Sequence, residues 1–371
     1  MAKLRSLAIG LLLAASSCDP QSAPLSATGA SWPEADRLFH QDPLWLGADA
    51  AYSIDLGAGR SLWLFGDTFV ATSAAAQRTA SGMPRNTIGV QEGRDPTTAT
   101  MHFFWGRDAA GKPASFFPDG PDTWVWPGDG IRLPSGPLVV FLSVERATPG
   151  QGLGFASAGW RVAIIDDPDA DPASWAPRYV DPAPASFDGI DGIVGSAVVL
   201  EGDYLIALAP RSDTHAGQLA RFLIGDLLGR LAAPDWWAGG ARGWVAEAAL
   251  GGAPAIVIDD AGSEASLHLD GPRSTWVHVA SRGFGKTTIA VRRAAQLTGP
   301  WSAAVDAFTP PESNGAKPFV YAAKAHPELT SGDPADLVVT YATNSFTFAD
   351  LLTAEGMQSL YWPRFVRLAL Q

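Results

Sequence analysis

The chain has 371 residues, of which 47% are hydrophobic and 17% are charged, so it can build a large core and is not an intrinsically disordered protein. Its formal net charge is −12, and its 26 Lys and Arg residues form no basic run, which argues against nucleic-acid binding. The abundance of glycine (39), proline (29) and tryptophan (14) is typical of a protein rich in strands and turns.

The first predicted element is a secretion signal over residues 1–18. Lys3 and Arg5 precede a short apolar run, LAIGLLLAA, which is followed by SSC. The end of this segment, AASSC, resembles the lipobox of bacterial lipoproteins, in which the cysteine becomes the lipidated first residue. Cys18 is the only cysteine of the chain, so no internal disulfide can form. We expect export and lipidation at Cys18; the alternative is an ordinary cleaved signal with an incidental cysteine.

The next segment, residues 19–41, is rich in Pro, Ser and Ala and is predicted to be a tether and the approach to the fold. Residues 42–371 are predicted to form one domain, in which short apolar runs alternate with Gly, Pro and Asp turns. The runs fall into five groups of three or four predicted strands. In chain order the groups begin with AYSIDL, TWVWPGDGIRL, GIVGSAVVL, EASLHLD and FVYAAKAH. Helical patterns are short and lie at 34–40, 225–233 and 348–356.

Five similar groups of antiparallel strands predict an all-β fold, a five-bladed β-propeller whose last blade is completed by the strand FVRLAL. The alternative is a large sandwich or jelly roll. An acidic or polar residue recurs near the start of the first or second strand of a group: Asp49, Asp67, Asp129, Asp191, Glu264 and His326. The first strands of a propeller line its central channel, so these side chains would converge on one axis.

Seven segments carry a resemblance to a known family. In chain order they are LGADAAYSIDLGAGRSLWLFGDTFV, RNTIG, VGSAVV, LTGPWS, KAHPEL, VTYATNS and YWPRFVRL. From about residue 42 to the end, the chain resembles secreted bacterial and fungal proteins grouped under a domain of unknown function. That family is similar to propeller glycosidases, including arabinanases and the endo-D-arabinanases that cut mycobacterial arabinan. The resemblance implies a five-bladed propeller more strongly than it implies an activity, because propellers host many functions.

The resemblance also implies roles for three carboxyl groups, since glycoside hydrolysis uses one protonated and one ionised carboxyl across the scissile bond. Asp49 corresponds in place to the base or nucleophile, Glu264 to the general acid, and Asp191 to a carboxylate that tunes the acid and binds sugar hydroxyls. For each, the alternative is a turn carboxylate that caps backbone N–H groups. We expect Asp49, Asp67, Asp191 and Glu264 to lie around one cavity, where they cannot all ionise freely. At least one pKa should then be raised, at Glu264 ahead of Asp191, while Asp49 stays ionised.

Further residues are predicted to bind substrate or to support the carboxylates. Asp67 lies beside Gly66, which would let it approach Asp49 closely; the alternative is a structural Asp bonded to a neighbouring blade. The remaining supporting residues are Arg85, Asn86, Asp129, His326 and Arg364. Of these, a lone histidine is more often structural. A sugar-stacking platform is expected among Trp45, Trp124, Trp126, Trp236, Trp237 and Trp362, most of which would pack between blades.

Two functions fit these observations. The first is a secreted or surface-anchored glycoside hydrolase that acts on a furanoside, such as arabinan, or a related polysaccharide. The second is a non-catalytic propeller that binds glycans or a protein at the cell surface. In either case we expect a monomer with a polysaccharide or oligosaccharide partner, no cofactor, no metal, and membrane contact only through an N-terminal lipid anchor.

Overall fold

The computed structural model describes residues 25–150, 154–182, 192–230 and 232–371. Five antiparallel sheets of four or five strands follow one another along the chain. Each sheet is built on an antiparallel meander, in which strands that follow one another in the chain pair side by side. Gly, Pro and Asp residues separate the apolar runs and favour the turns between them. The five sheets are the blades of a propeller, so the predicted fold is confirmed.

The blades use the strands almost in chain order. The first strand, β1 (Ala27–Ser31), belongs to the last blade. Blade I contains β2 (Trp45–Gly57), β3 (Arg60–Ala71), β5 (Thr87–Glu92) and β6 (Thr100–Phe104), and the short β4 (Ser81–Gly82) pairs with β3. A two-stranded ribbon of β7 (Gly106–Arg107) and β8 (Pro113–Ala114) follows. Blade II contains β9 (Thr123–Arg132), β10 (Leu138–Ala147), β11 (Phe155–Ile165) and β12 (Arg178–Val180).

The other three blades repeat this arrangement. Blade III contains β13 (Ala197–Glu201), β14 (Tyr204–Pro210), β15 (Gly217–Leu223), β16 (Asp235–Trp237) and β17 (Trp244–Ala246). Blade IV contains β18 (Ala265–Asp270), β19 (Thr275–Arg282), β20 (Thr288–Ala294) and β21 (Val305–Phe308). Blade V contains β22 (Pro318–Ala325), β23 (Asp336–Ser345), β24 (Arg364–Leu370) and, outermost, β1.

The inner strands β2, β9, β13, β18 and β22 touch one another in a closed ring around the channel. Apolar side chains on facing blades form a buried layer between each pair of neighbours, including the pair of blade V and blade I. The core is therefore divided into layers between blades. Because each blade is buried on both faces, its strands are nearly continuous apolar runs.

The N-terminal strand closes the ring. β1 pairs antiparallel with β24, with Ala27 opposite Leu370 and Ser31 opposite Val366. The backbones of Ser26 and Gln371 also exchange two hydrogen bonds, of 3.2 and 2.9 Å. The sequence analysis assigned these N-terminal residues to the approach segment, whereas the structure makes them the outer strand of blade V.

The α-helices of the described residues are few and short, and they lie at the three predicted places. The α-helices are α1 (Pro33–Asp36), α2 (Ile224–Leu228) and α3 (Asp350–Thr353). Short 3₁₀ helices are Arg37–His40, Arg78–Ala80, Pro172–Ser174, Glu247–Ala249, Pro311–Asn314 and Met357–Ser359. Phe39, which follows α1, is fully buried and stacks on Phe365 at 5.2 Å between blades I and V. Among the residues described, no helix is both long and apolar enough to cross a membrane.

Candidate active site

Asp49 lies near the start of β2 and is held by two tyrosines of blade V. Its Oδ2 accepts hydrogen bonds from the hydroxyl groups of Tyr321 (2.7 Å) and Tyr361 (3.2 Å). Asp49 and Tyr321 are partly exposed, whereas Tyr361 is buried. Two side chains from the last blade therefore fix the orientation of a carboxyl group on the first blade.

The backbone is strained on both sides of this contact. Four of the nine non-glycine residues with positive φ in the described chain are Ala50 (63°), Ala51 (61°), Ala322 (58°) and Tyr361 (65°). The pairing register of β2 shifts around Ala50, and that of β22 shifts between Tyr321 and Lys324. Such bulges redirect the side chains beside them. Strain of this kind persists only where the surroundings hold it, and it concentrates at functional sites.

Lys324, on β22, ties the two bulges together. Its ammonium group donates hydrogen bonds to the carbonyl oxygens of Ala50 and Ala322, the residues with positive φ. A third bond, of 2.9 Å, runs to Oε2 of Glu264, directly before β18. The Lys324 side chain is 2% exposed and its Nζ lies 4.1 Å from the ring centre of Tyr52. All three donors of the ammonium are thus used, which is how a buried lysine is tolerated.

Asp67, on β3, joins blade I to blade II. Its Oδ1 accepts a hydrogen bond from the indole of Trp126 (2.9 Å), and its Oδ2 lies 3.3 Å from the guanidinium of Arg85. Burial raises the pKa of Asp67, and both of these donors oppose that rise. Gly66 is required beside it, because a Cβ there would lie 2.4 Å from Oδ1 of Asp49. Asp67 therefore makes the bond to a neighbouring blade and also lies beside Asp49.

Electrostatic coupling makes Asp49 the centre of the site. Burial raises its pKa to about 7, and the negative charges of Asp67 and Glu264 add to that effect. The sequence analysis expected the raised pKa at Glu264. The structure instead places the ammonium of Lys324 against Glu264 and raises the pKa of Asp49. Asp49 can thus hold a proton near neutral pH.

The opposite end of the channel is a cavity of about 770 Å³ lined by the later halves of the inner strands. Tyr52 and Lys324 reach it from the side of Asp49. Asp129 also lines it and accepts hydrogen bonds from the N–H groups of Gly130 (2.8 Å) and Val198 (2.7 Å). Burial raises the pKa of Asp129 to about 7. Asp129 therefore links the inner strands of blades II and III on the far side of Lys324.

Three other predicted residues have structural contacts. His326 is fully buried, and its ring nitrogens contact the hydroxyl oxygens of Ser53 (2.6 Å) and Thr340 (2.7 Å). Asn86 donates to the carbonyl oxygens of Phe117 and Val125, both at 3.0 Å, and so fixes the loop before blade II. Arg364 pairs with Asp36 of α1 at 3.0 Å. These three residues therefore make hydrogen bonds or ion pairs that hold the fold together. Of the predicted arginines, Arg85 bonds to a carboxyl group of the site and Arg364 does not.

Several sequence predictions lie outside the described residues: Asp191, Cys18, the secretion signal over residues 1–18, and residues 19–24 of the tether. Among the predicted tryptophans, Trp45 and Trp236 are buried. The ring centre of Trp124 lies 4.4 Å from the guanidinium carbon of Arg85. In the described part of the chain, no group of three or more His, Cys, Asp or Glu side chains has the arrangement of a metal site.

Sequence reasoning missed Tyr321, Tyr361 and Lys324. The available signal was in YAAKAH, where a lysine interrupts an apolar inner strand. A lysine that is buried in such a strand needs several acceptors, and it therefore indicates nearby carboxylates. The tyrosines gave no comparable signal, because their direction depends on the bulges.

Comparison with solved structures supports the fold. A "putative hydrolase" from Bacteroides ovatus ATCC 8483 superposes with a TM-score of 0.70 at 17% sequence identity, covering 92% of this chain and 90% of the other. An exo-beta-1,3-galactanase from Phanerochaete chrysosporium, solved with beta-1,3-galactotriose, has a TM-score of 0.50 at 11% identity. That match covers 92% of this chain and 64% of the galactanase chain. At these identities the likeness shows the fold alone.

Comparison at the level of sequence gives the family. A search of curated proteins finds no match. The profile of one protein family matches residues 34–370, which include every strand of the five blades except β1 and every carboxyl group of the candidate site that the structure describes. The chain therefore belongs to the family described as Domain of unknown function (DUF5005).

Proposed function

We propose that this protein is a glycoside hydrolase whose paired carboxyl groups are Asp49 and Glu264. The observation that carries the proposal is their contrasting surroundings. Asp49 has a pKa raised to about 7, whereas Glu264 forms an ion pair with Lys324 at 2.9 Å. Environments that separate two carboxyl groups in this way assign one as acid and the other as base or nucleophile. Asp49 is then the general acid, the reverse of the roles that the sequence resemblance implies.

The substrate we propose is a polysaccharide or oligosaccharide built from furanosides, such as arabinan. The family resemblance noted in the sequence supports this class, and the galactotriose in the similar galactanase concerns that enzyme alone. Partial exposure of Asp49 and of Glu264, whose side chain is 23% exposed, leaves both carboxyl groups open to a sugar.

Hydrolysis is tested by incubating the purified protein with arabinan, xylan and β-1,3-galactan and measuring the reducing ends released. We expect cleavage of arabinan and a loss of at least about a hundredfold in Asp49→Asn, which keeps the shape of the side chain and removes its acid. Asp55→Asn, a change of an exposed carboxylate on the same strand, is the matched control and should retain activity. If none of the three polysaccharides is cut, the proposal fails.

The pH profile tests the assignment of Asp49. Because the acid must be protonated, kcat/KM should fall as pH rises through about 7, the value to which burial raises the Asp49 pKa. The initial-rate profile on arabinan from pH 5 to pH 9 measures this limb. A rate that rises through pH 7 would make Asp49 the base, and the activity would stand with the roles exchanged.

A second candidate function is glycan binding without catalysis. The ion pairs of Asp67 with Arg85 and of Glu264 with Lys324 favour it, because paired carboxylates can serve as fixed hydrogen-bond acceptors. Retention of the wild-type protein in a gel containing arabinan, with no reducing ends released, would select this function.

We also propose that the protein is exported and that Cys18 carries the lipid. The segment AASSC supports this assignment. Metabolic labelling with a fatty acid should mark the wild-type chain and not Cys18→Ala. Equal labelling of both would contradict the proposal.

A further inference from the structure

Three phenylalanines form an exposed cluster at the rim of blades IV and V. Phe284 is 69% exposed and Phe346 is 55% exposed, and Phe319 lies partly exposed between them. The ring centres are separated by 5.2 Å (Phe284 to Phe319), 5.5 Å (Phe284 to Phe346) and 4.9 Å (Phe319 to Phe346). We call these three residues the Phe platform.

The Phe platform is continuous with the candidate active site. Phe319 and Tyr321 both lie on β22, and their rings are 5.3 Å apart. Alternate residues of a strand lie on the same face, so the platform extends the face that carries Tyr321. The hydroxyl of Tyr321 in turn donates to Asp49 at 2.7 Å. An aromatic surface therefore runs from the exposed rim to the carboxyl group proposed as the acid.

The three rings come from separate parts of the chain. Phe284 is at the tip of the β19–β20 hairpin, between Gly283 and Gly285, both with φ of 84°. Phe346 directly follows β23. Large apolar side chains exposed together are costly to leave in water and commonly mark a binding surface. Two loops and a strand meet to form the cluster, so it is more than the exposed edge of a single buried layer.

The charges beside the platform restrict the ligand. Asp49, Asp67 and Glu264 lie at its inner end, where their oxygens can accept hydrogen bonds from sugar hydroxyl groups. Arg85 and Lys324 are already paired with Asp67 and Glu264, so neither cation favours an acidic polysaccharide. The C–H faces of neutral sugar rings stack on aromatic rings, which lose little conformational freedom on binding. A neutral sugar chain that reaches Asp49 can therefore place its next rings over Tyr321 and Phe319.

We propose that the Phe platform binds the rings of a neutral polysaccharide chain on one side of the bond that is cut. This proposal rests on the glycoside hydrolase function. It predicts a protein that prefers long polysaccharide chains to short ones, since the platform contributes to binding only when several sugar units extend beyond Asp49.

The experiment compares a long with a short substrate in the double variant Phe284→Ala/Phe346→Ala. We expect KM for arabinan to rise roughly tenfold, because the variant removes two aromatic rings on which sugar rings would stack and leaves the carboxyl groups unchanged. The value of kcat/KM for 4-nitrophenyl α-L-arabinofuranoside should stay unchanged, since this substrate is too short to reach the platform. Leu223→Ala, which removes an exposed apolar side chain (40% exposed) outside the strands that line the channel, is the control and should change neither.

Each outcome separates the platform from the activity. If the wild type cuts arabinan and the double variant has the same KM, the platform proposal is wrong while the hydrolase stands. An equal loss on both substrates would also overturn it, by showing a general structural effect. If the wild type cuts nothing, the hydrolase fails, and the platform is then tested by retention in arabinan gels. If the wild type and the double variant are retained equally in those gels, the platform is not a sugar site. The same conclusion follows if the wild type self-associates in sedimentation and the double variant does not.

Discussion

A single buried lysine organises the candidate site. Lys324 bonds to a carbonyl oxygen in each of two bulges and to Glu264, so it joins β2, β22 and the start of β18. Burial lowers its pKa, and the negative charge of Glu264 opposes that change. We infer that Lys324 is a positioning residue, which holds Asp49 and Glu264 in place through the backbone of Ala50 and through its ion pair.

Replacing Lys324 by methionine should separate its positioning role from packing. Lys324→Met keeps much of the volume but leaves Glu264 and two carbonyl oxygens without their donor, at a cost of about 1–3 kcal/mol in unfolding free energy. We expect kcat to fall and the limb of the pH profile near 7 to move, because Asp49 then faces a Glu264 without its cation. Lys317→Met, at a lysine that is 60% exposed, is the matched control. A stability loss with an unchanged pH profile would contradict the positioning role.

At the residue scale, sequence could locate the carboxylates but not their partners. Asp49 and Glu264 stood out because acidic or polar residues recur at the starts of the strand groups and because the family resemblance implies roles for these two. Which donor each one meets depends on the bulges at Ala50 and Ala322, where the alternation of side-chain direction along a strand is broken. A pattern that assumes regular strands therefore gives no reason to point Tyr321 at Asp49, and the expected pKa rise at Glu264 came from the role that the family resemblance implies.

At the scale of elements, long apolar runs were predictable and the closing strand was not. β1 has the sequence ATGAS, which has neither an alternating pattern nor large side chains. Its strand conformation is imposed by pairing with β24, a partner at the other end of the sequence. Tertiary context overrides local preference in such strands.

Gly29 in β1 tests how tightly this strand packs. A Cβ at position 29 would lie 2.6 Å from a methyl carbon of Leu368 and 2.7 Å from Cβ of Phe308, so Gly29→Val would force neighbouring strands apart. We expect a loss of about 1–3 kcal/mol in unfolding free energy, measured by denaturation in urea. Thr28→Val, at the adjacent exposed residue, is the control. Equal stabilities of the two variants would show that β1 is not packed as described.

At the scale of the whole molecule, the number of blades could be predicted from the sequence because every blade is subject to the same packing requirement. Every sheet must bury both faces, so each group of strands is apolar and is bounded by turn residues. Five groups therefore became five blades and five layers of core. Length and grouping determine this architecture, whereas the chemistry depends on a few irregular backbone positions.

The pairing of β1 with β24 has a consequence for how the protein is made. The two strands are separated by more than three hundred residues, so the ring stays open until the last strand of the chain has been synthesised. Until then the edge of β23 and the layer between blades V and I remain uncovered, a state prone to aggregation. Contacts between distant parts of a chain also form slowly. An incomplete chain therefore remains unclosed and exposes apolar surface that molecular chaperones can bind.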